Sequence, residues 1–375
     1  MQAMNYFGVM TGIALIVIIL WDAFEVIILP RRVTRRFRLA RLFYIWTWTL
    51  GSTLPRRMNW TSKRREKYLS VYGPVSLILL LSVWAIGLIF GFALLQWSLD
   101  SKLSTSDGAR NFLTYFYLSG ETFFTLGYGD VTSVEPLGRA LSVAEAGVGF
   151  GSLAIVIGYL PVLYQAFSKR EVGISLLDAR AGSPPSAAEL LRRHARADTD
   201  GNHHLAALDD FLRNWENWSA ELLESHLSYP VLSYFRSQHD NQSWLSALTT
   251  VLDTCALVIV GLDGAQAWQA QLTFAMARHA VVDIAQIFNR RPLSCDYDRL
   301  PPEDFARLRE VLRQAGIPLR DNDGAVAEEK LQKLRRMYEP YINALAIYLL
   351  MPVPAWILAT EAIDNWKTSV WGRIQ

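Results

Sequence analysis

Cysteine is nearly absent from this chain: Cys255 and Cys295 are the only two in 375 residues, so there is no disulfide framework and packing must hold the fold. Charge is scarce as well. Asp, Glu, Lys and Arg make up 19% of the sequence against 51% hydrophobic residues, a balance too apolar for a soluble protein of this length. With a formal net charge of +2, no nucleic-acid partner is expected. No GxGxxG turn occurs, which counts against a dinucleotide-binding domain. The first apolar run has no basic stretch before it and no small-residue cleavage site, so it reads as a retained anchor and not as a signal peptide. Acidic residues are missing where basic ones crowd: between Arg31 and Lys67 lie twelve Lys and Arg against the single acid Glu66.

The apolar residues concentrate before Phe167, in runs of Tyr6 to Leu29, Val71 to Trp97 and Leu137 to Ala166, each long enough to cross a hydrocarbon core of ~30 Å as a helix. The positive-inside rule places Arg31 to Lys67 in the cytoplasm. The amino terminus is then outside, the loop with Asp100, Lys102 and Asp107 faces the exterior, and the third run returns inward. Leu39 to Leu54 is short and flanked by arginine on both sides. With Phe43, Tyr44, Trp46 and Trp48 it reads as an interfacial helix, and Arg31 to Lys67 offer their charge to anionic headgroups. Arg32, Arg35, Arg38 and Arg41 recur at the spacing of a voltage sensor, but partner sensor helices are missing and a lipid-facing basic cuff is the preferred reading. Asp22 and Glu25 are costly in the first span unless they meet these arginines or sit at the interface.

Between the second and third runs lies Thr125-Leu126-Gly127-Tyr128-Gly129-Asp130. Gly127 and Gly129 allow positive φ, the backbone needed to aim successive carbonyls at one axis, and Thr125 adds a hydroxyl oxygen. Such a segment can replace the hydration shell of a potassium ion. The longer run YLSGETFFTLGYGDV, followed by Gly138-Arg139 and Gly149, resembles the pore module of potassium channels of the simple bacterial two-helix type, over roughly Val71 to Phe167. Leu126 stands where the family usually has Val, Phe124 where it usually has Thr, and Tyr117 where it has Trp.

The resemblance implies a selectivity filter at Thr125, Leu126, Gly127, Tyr128 and Gly129, with K+ as the permeant ion. It implies support behind the filter from Tyr117, Glu121 and Asp130, with Tyr117 donating to Asp130 and the two carboxyls sharing a proton. One pore loop per chain implies a homotetramer. Asn111 to Phe123 is expected as the pore helix, its carboxyl end turned to a dehydrating cation. Gly149 matches the family's gating glycine, while Pro161 releases the carbonyl of Ile157 and offers a second bending point. Gly147 and Gly151 read as packing residues. Glu145 is an ionisable group deep in a span and therefore a gating candidate, facing either the cavity or the pore helix.

After a linker from Ser168 to Pro185, helical periodicity takes over. Ser186 with Glu189 forms a capping box, and Phe211, Trp215, Trp218 and Leu222 form a core stripe. Further helices are expected over Asn241 to Val260, Ala265 to Phe288, Glu303 to Gln314 with Gly316 as the stop, and Ala325 to Tyr338. Tyr341 to Ala359, interrupted by Pro352 and Pro354, reads as a buried core segment. Asp198, Asp200, Asn202 and Asp209 have calcium-loop spacing, but His203 stands where the loop needs glycine, which favours a solvated turn. His226, His239, Asp240 and Asp253 suggest a helical metal phosphohydrolase, with capping or surface roles the commoner explanation.

The expected architecture is an all-α membrane protein. It comprises an N-terminal transmembrane helix (1–30), a basic cytoplasmic or interfacial segment (31–70), a pore module (71–167), a linker (168–185) and an all-α cytoplasmic regulatory domain (186–375). The expected function is a multi-pass potassium channel of the cell membrane, not an enzyme, gated through that domain. A membrane-anchored scaffold with a non-conducting pore and a membrane-tethered phosphohydrolase are the competing readings.

Overall fold

The computed structural model describes residues 5–29, 38–58, 60–105, 108, 111–195, 205–238, 241–261, 267–294, 297–317, 319 and 324–358. The chain divides into two units, one of Met1–Trp60 with Val71–Gln165, the other of Thr61–Ser70 with Ala166–Gln375.

In the first unit, α1 (Tyr6–Ala23) starts at Asn5, whose side chain accepts from the Gly8 amide, and a π-helical turn (Phe24–Ile28) extends it. It runs antiparallel to α3 (Ser62–Ser98). Small residues bring the two backbones together: a Cβ on Gly12 would lie 2.9 Å from the Gly91 carbonyl oxygen. The acids in α1 find partners. Asp22 accepts from the Trp84 indole and from the Ala40 amide, each at 3.0 Å, which sets its carboxyl at the start of α2 (Leu39–Arg57), where free amides and the helix dipole favour an anion. Glu25 accepts from the Trp21 indole at 2.7 Å and lies 3.5 Å from Arg38. Arg32 and Arg35 lie outside the described residues.

Two expected boundaries move. The second span starts at Ser62 and not at Val71, because Lys63, Arg64, Arg65, Glu66 and Lys67 are good helix formers and simply prolong it. The linker expected from Ser168 is helical, since α5 runs unbroken from Pro136 to Ala181 with Pro161 inside it. Ile174, Leu177 and Ala181 are buried at helical spacing along that stretch, a periodicity masked in the sequence by the polar cluster Ser168 to Glu171. Before α5 come β1 (Leu103–Thr105), α4 (Phe112–Phe123) and β2 (Val131–Ser133). The two strands pair antiparallel, Leu103 opposite Ser133 and Thr105 opposite Val131.

The second unit is helical: α6 (Ala187–His194), α7 (Leu205–Ser228), α8 (Trp244–Gly261), α9 (Ala267–Ile287), α10 (Pro302–Gln314), α11 (Gly324–Arg335) and α12 (Glu339–Leu349). Ser186 caps α6, but Glu189 turns to Arg192 and Arg193 instead of completing the expected box. Helix α8 begins at Trp244, after the positive φ of Asn241. It is long and apolar enough to cross a membrane, yet 89% of its apolar window is buried, against 22%, 44% and 17% for α1, α3 and α5. It is therefore an interior helix. The segment after α12 is irregular, with Met351 and Trp356 buried. Asp253 on α8 receives Arg299 at 2.7 Å and the Tyr338 hydroxyl at 2.6 Å. Arg299 also reaches Glu339 at 2.9 Å and the Pro354 carbonyl at 2.8 Å.

Arg170, near the end of α5, is buried in this unit. It donates to the carbonyls of Leu232 at 2.8 Å and Phe235 at 2.9 Å, and pairs with Glu171 at 3.0 Å. Its Nη1 is 3.4 Å from His226 Nε2, while His226 Nδ1 is 2.8 Å from the Leu222 carbonyl. Nδ1 therefore carries the proton and Nε2 accepts from Arg170. Burial, and Arg170 beside it, push the imidazole pKa down to about 3. His226 stays neutral in the fold but takes a proton in the unfolded chain below about pH 6.5, so its contribution is complete above that pH and is lost as pH falls. For the full chain in detergent, wild type should lose roughly 1 kcal/mol more per pH unit than His226→Gln between about pH 6 and about pH 4. Thermal melting followed by tryptophan fluorescence measures this, and parallel slopes would show that His226 does not carry the effect.

Candidate functional site

The segment from Thr125 to Asp130 hangs between two anchors. On one side is α4, started by Asn111, whose side chain accepts from the Thr114 amide at 3.1 Å. At its far end the Leu126 amide still donates to the Glu121 carbonyl at 2.8 Å. On the other side, β2 is tied to β1, so the chain enters and leaves the loop at one place. Positive φ occurs at Thr125 (55°), Gly127 (63°) and Gly129 (77°), and not at Leu126 or Tyr128. Alternation of left- and right-handed residues turns successive carbonyls to the same side, the requirement for a cation path lined by backbone oxygen. No atom lies within 4 Å of a Cβ built on Gly127 or Gly129, so the demand for glycine there comes from φ and not from crowding. Thr125 to Asp130 are all exposed in the single chain.

Behind this segment, the Tyr117 hydroxyl donates to Asp130 at 3.1 Å. Glu121 is buried and accepts from the Tyr128 amide, with its second oxygen unpartnered. The two carboxyls are within electrostatic reach but form no direct hydrogen bond in the single chain, each accepting from a different donor. Glu145 faces the pore helix and not the cavity, fully buried against Ser119 of α4. Ser119 was not singled out from the sequence. The available signal was a small hydroxyl on an apolar helix within reach of a buried acid.

Gly149 is where the inner helix crosses the end of α4, and a Cβ there would fall 2.0 Å from the Phe123 carbonyl oxygen. Close approach thus explains this glycine without a hinge. Gly147 and Gly151, expected to pack, meet nothing within 4 Å in the single chain. Pro161 does not end the helix.

Among the described residues, the competing chemistries have no complete site. His239, Asp240 and the calcium-like positions Asp198, Asp200 and Asn202 lie outside the described residues. Both ring nitrogens of His226 are engaged, and Asp253 is held by Arg299 and Tyr338. Among the described residues no group of three His, Cys, Asp or Glu is placed to hold a metal ion.

Residues 78–165 match the ion channel family. Over 305 residues, 80% of this chain and 83% of the relative, the sequence is 24% identical to the uncharacterized membrane protein YdjJ of Bacillus subtilis (strain 168). No solved structure matches. The family match takes in most of the apolar part of α3, the strand pair, α4, the loop with alternating φ and α5 up to Gln165. In this all-α membrane protein, residues 78–165 are therefore similar to an ion-channel pore module, consistent with the potassium-channel type.

Proposed function

We propose that the protein is a potassium-selective channel of the cell membrane that conducts as a homotetramer and whose second unit acts on the gate. The observation that carries this reading is the alternating backbone from Thr125 to Gly129. It supports a file of sites in which the carbonyls of Thr125, Leu126, Gly127 and Tyr128, with the Thr125 hydroxyl, replace the water around K+. A tetramer is supported by what one chain leaves open. The filter face is exposed, and so are Val143, Phe150, Leu153 and Ile157, which recur at helical spacing on α5. Four copies around one axis close the filter into a ring. Gating through the second unit rests on α5, a single helix whose first part belongs to the pore unit and whose last part belongs to the helical one.

The orientation proposed has the amino terminus outside and the second unit in the cytoplasm, following the basic stretch between Arg31 and Lys67. Helix α2 exposes Trp46, Leu50 and Leu54, four residues apart on one face, and ends in Arg56 and Arg57. This suits a helix lying in the headgroup layer of anionic lipid.

Reconstituted protein should carry K+ in clear preference to Na+, so that the reversal potential follows the potassium gradient; a reversal potential indifferent to that gradient defeats the proposal. Gly127→Ala places a Cβ on a residue at φ 63°, which costs roughly 1 kcal/mol or more per subunit. It should abolish selective current while leaving the oligomer intact on a native gel. Cutting the chain after Gln165, where the pore unit ends, should change open probability but not selectivity or unitary conductance. Loss of selectivity in the cut channel would make the second unit part of the pore.

A further inference from the structure

We propose that Glu145 is a positioning residue in the form of a neutral carboxylic acid, whose O–H donates to Ser119 and thereby joins the inner, pore and outer helices directly behind the filter. The importance for conduction rests on the channel reading; the assignment of the proton does not. Ser119 Oγ lies 2.7 Å from the carbonyl oxygen of Ile89 on α3 and is also hydrogen-bonded to Glu145 Oε1. A carbonyl oxygen only accepts, and a serine hydroxyl has one proton. If Ser119 gives that proton to Ile89, the second bond needs a proton from Glu145. If Ser119 gave it to a carboxylate instead, two oxygen lone pairs would face each other at 2.7 Å.

The surroundings agree. Glu145 is 0% exposed in the single chain, so a neighbouring subunit has no access to it, and its Oε2 has no partner. Helix α3 carries no Asp, Glu, Lys, Arg or His between Lys67 and Asp100. The ionisable groups of α4 are spent elsewhere: Tyr115 on the Ser101 carbonyl, Tyr117 on Asp130 and Glu121 on the Tyr128 amide. On α5 itself, Arg139 donates to the Ser133 carbonyl. A bare carboxylate with no cation is a severe cost in such a place, and a neutral acid with one good hydrogen bond is not.

One helical turn further along both helices, Gly149 meets Phe123, the last residue of α4. Inner and pore helices are thus locked at two successive turns, and displacement of α5 shifts the residue two places before Thr125.

The test has a spectroscopic arm and a conduction arm. Infrared difference spectra of wild type against E145Q at neutral pH should show the carbonyl stretch of a protonated carboxylic acid, shifted in S119A because its hydrogen bond is gone. A carboxylate band in its place overturns the proposal, whether or not the protein conducts. In single-channel recordings E145Q, which keeps a donor, should hold open probability within about twofold of wild type. E145A and S119A should lower it roughly tenfold, the scale of one unmade buried hydrogen bond. E145Q as damaging as E145A would also overturn it. A protonated-acid signal in a wild-type protein that passes no K+ would instead refute the channel reading and leave the proton assignment standing.

Discussion

The carbonyl of Phe123 occupies the place where any side chain at residue 149 would begin, and this contact governs the pore unit. The segment from Thr125 to Gly129, the proposed filter, has open space around its glycines, where an added Cβ would meet nothing within 4 Å, and its conformation depends on the Glu121 bond to the Tyr128 amide and on what is fixed at its ends. The inner helix fixes the α4 end by direct backbone approach. The strand pair fixes the other end, with Tyr115 donating to Ser101 beside it at 2.7 Å. Left-handed φ at a threonine costs energy that only a well-anchored frame can sustain.

The two units treat buried charge in opposite ways. In the pore unit, buried acids take mainly neutral donors: Asp22 the Trp84 indole and a backbone amide, Glu25 the Trp21 indole together with Arg38, and Glu121 the Tyr128 amide. In the helical unit, charges are gathered into pairs and chains, as in Asp253 with Arg299 and Glu339, where the Trp356 ring lies 5.6 Å from the guanidinium groups of both Arg299 and Arg335. Each full charge in hydrocarbon is expensive, so single acids satisfied by dipoles suit a membrane setting. A unit that faces water, as proposed for the helical one, can bury whole networks because water screens what remains at its edges.

Most of the pore was legible because its signals are local. The two glycines, the flanking apolar runs and the Asn111 cap each act within a few residues, and the loop with alternating φ lies between the helices that those signals define. Less legible was whatever depends on partners far apart in the chain. The short strands at Leu103–Thr105 and Val131–Ser133 lack length enough to show alternation, and their pairing exists only because α4 returns the chain. Glu145 was visible as an oddity, but its orientation toward Ser119 needed two helices at once. In α5, the polar stretch at Ser168 to Glu171 resembled a linker because the groups that bury Arg170, at Leu232 and Phe235, come some sixty residues later.

The helical unit is discontinuous along the chain. Glu66 belongs to its first short piece and lies 3.6 Å from Arg236 of the second, while Val71–Gln165 of the pore unit is encoded between them. At translation speeds of ~5–20 residues per second, Arg236 leaves the ribosome on the order of ten seconds after Glu66. Every residue of the pore unit has by then left the ribosome. Completion of the helical unit is thus necessarily later than synthesis of the pore unit, and its first short piece must wait for its partner while the pore segment is made.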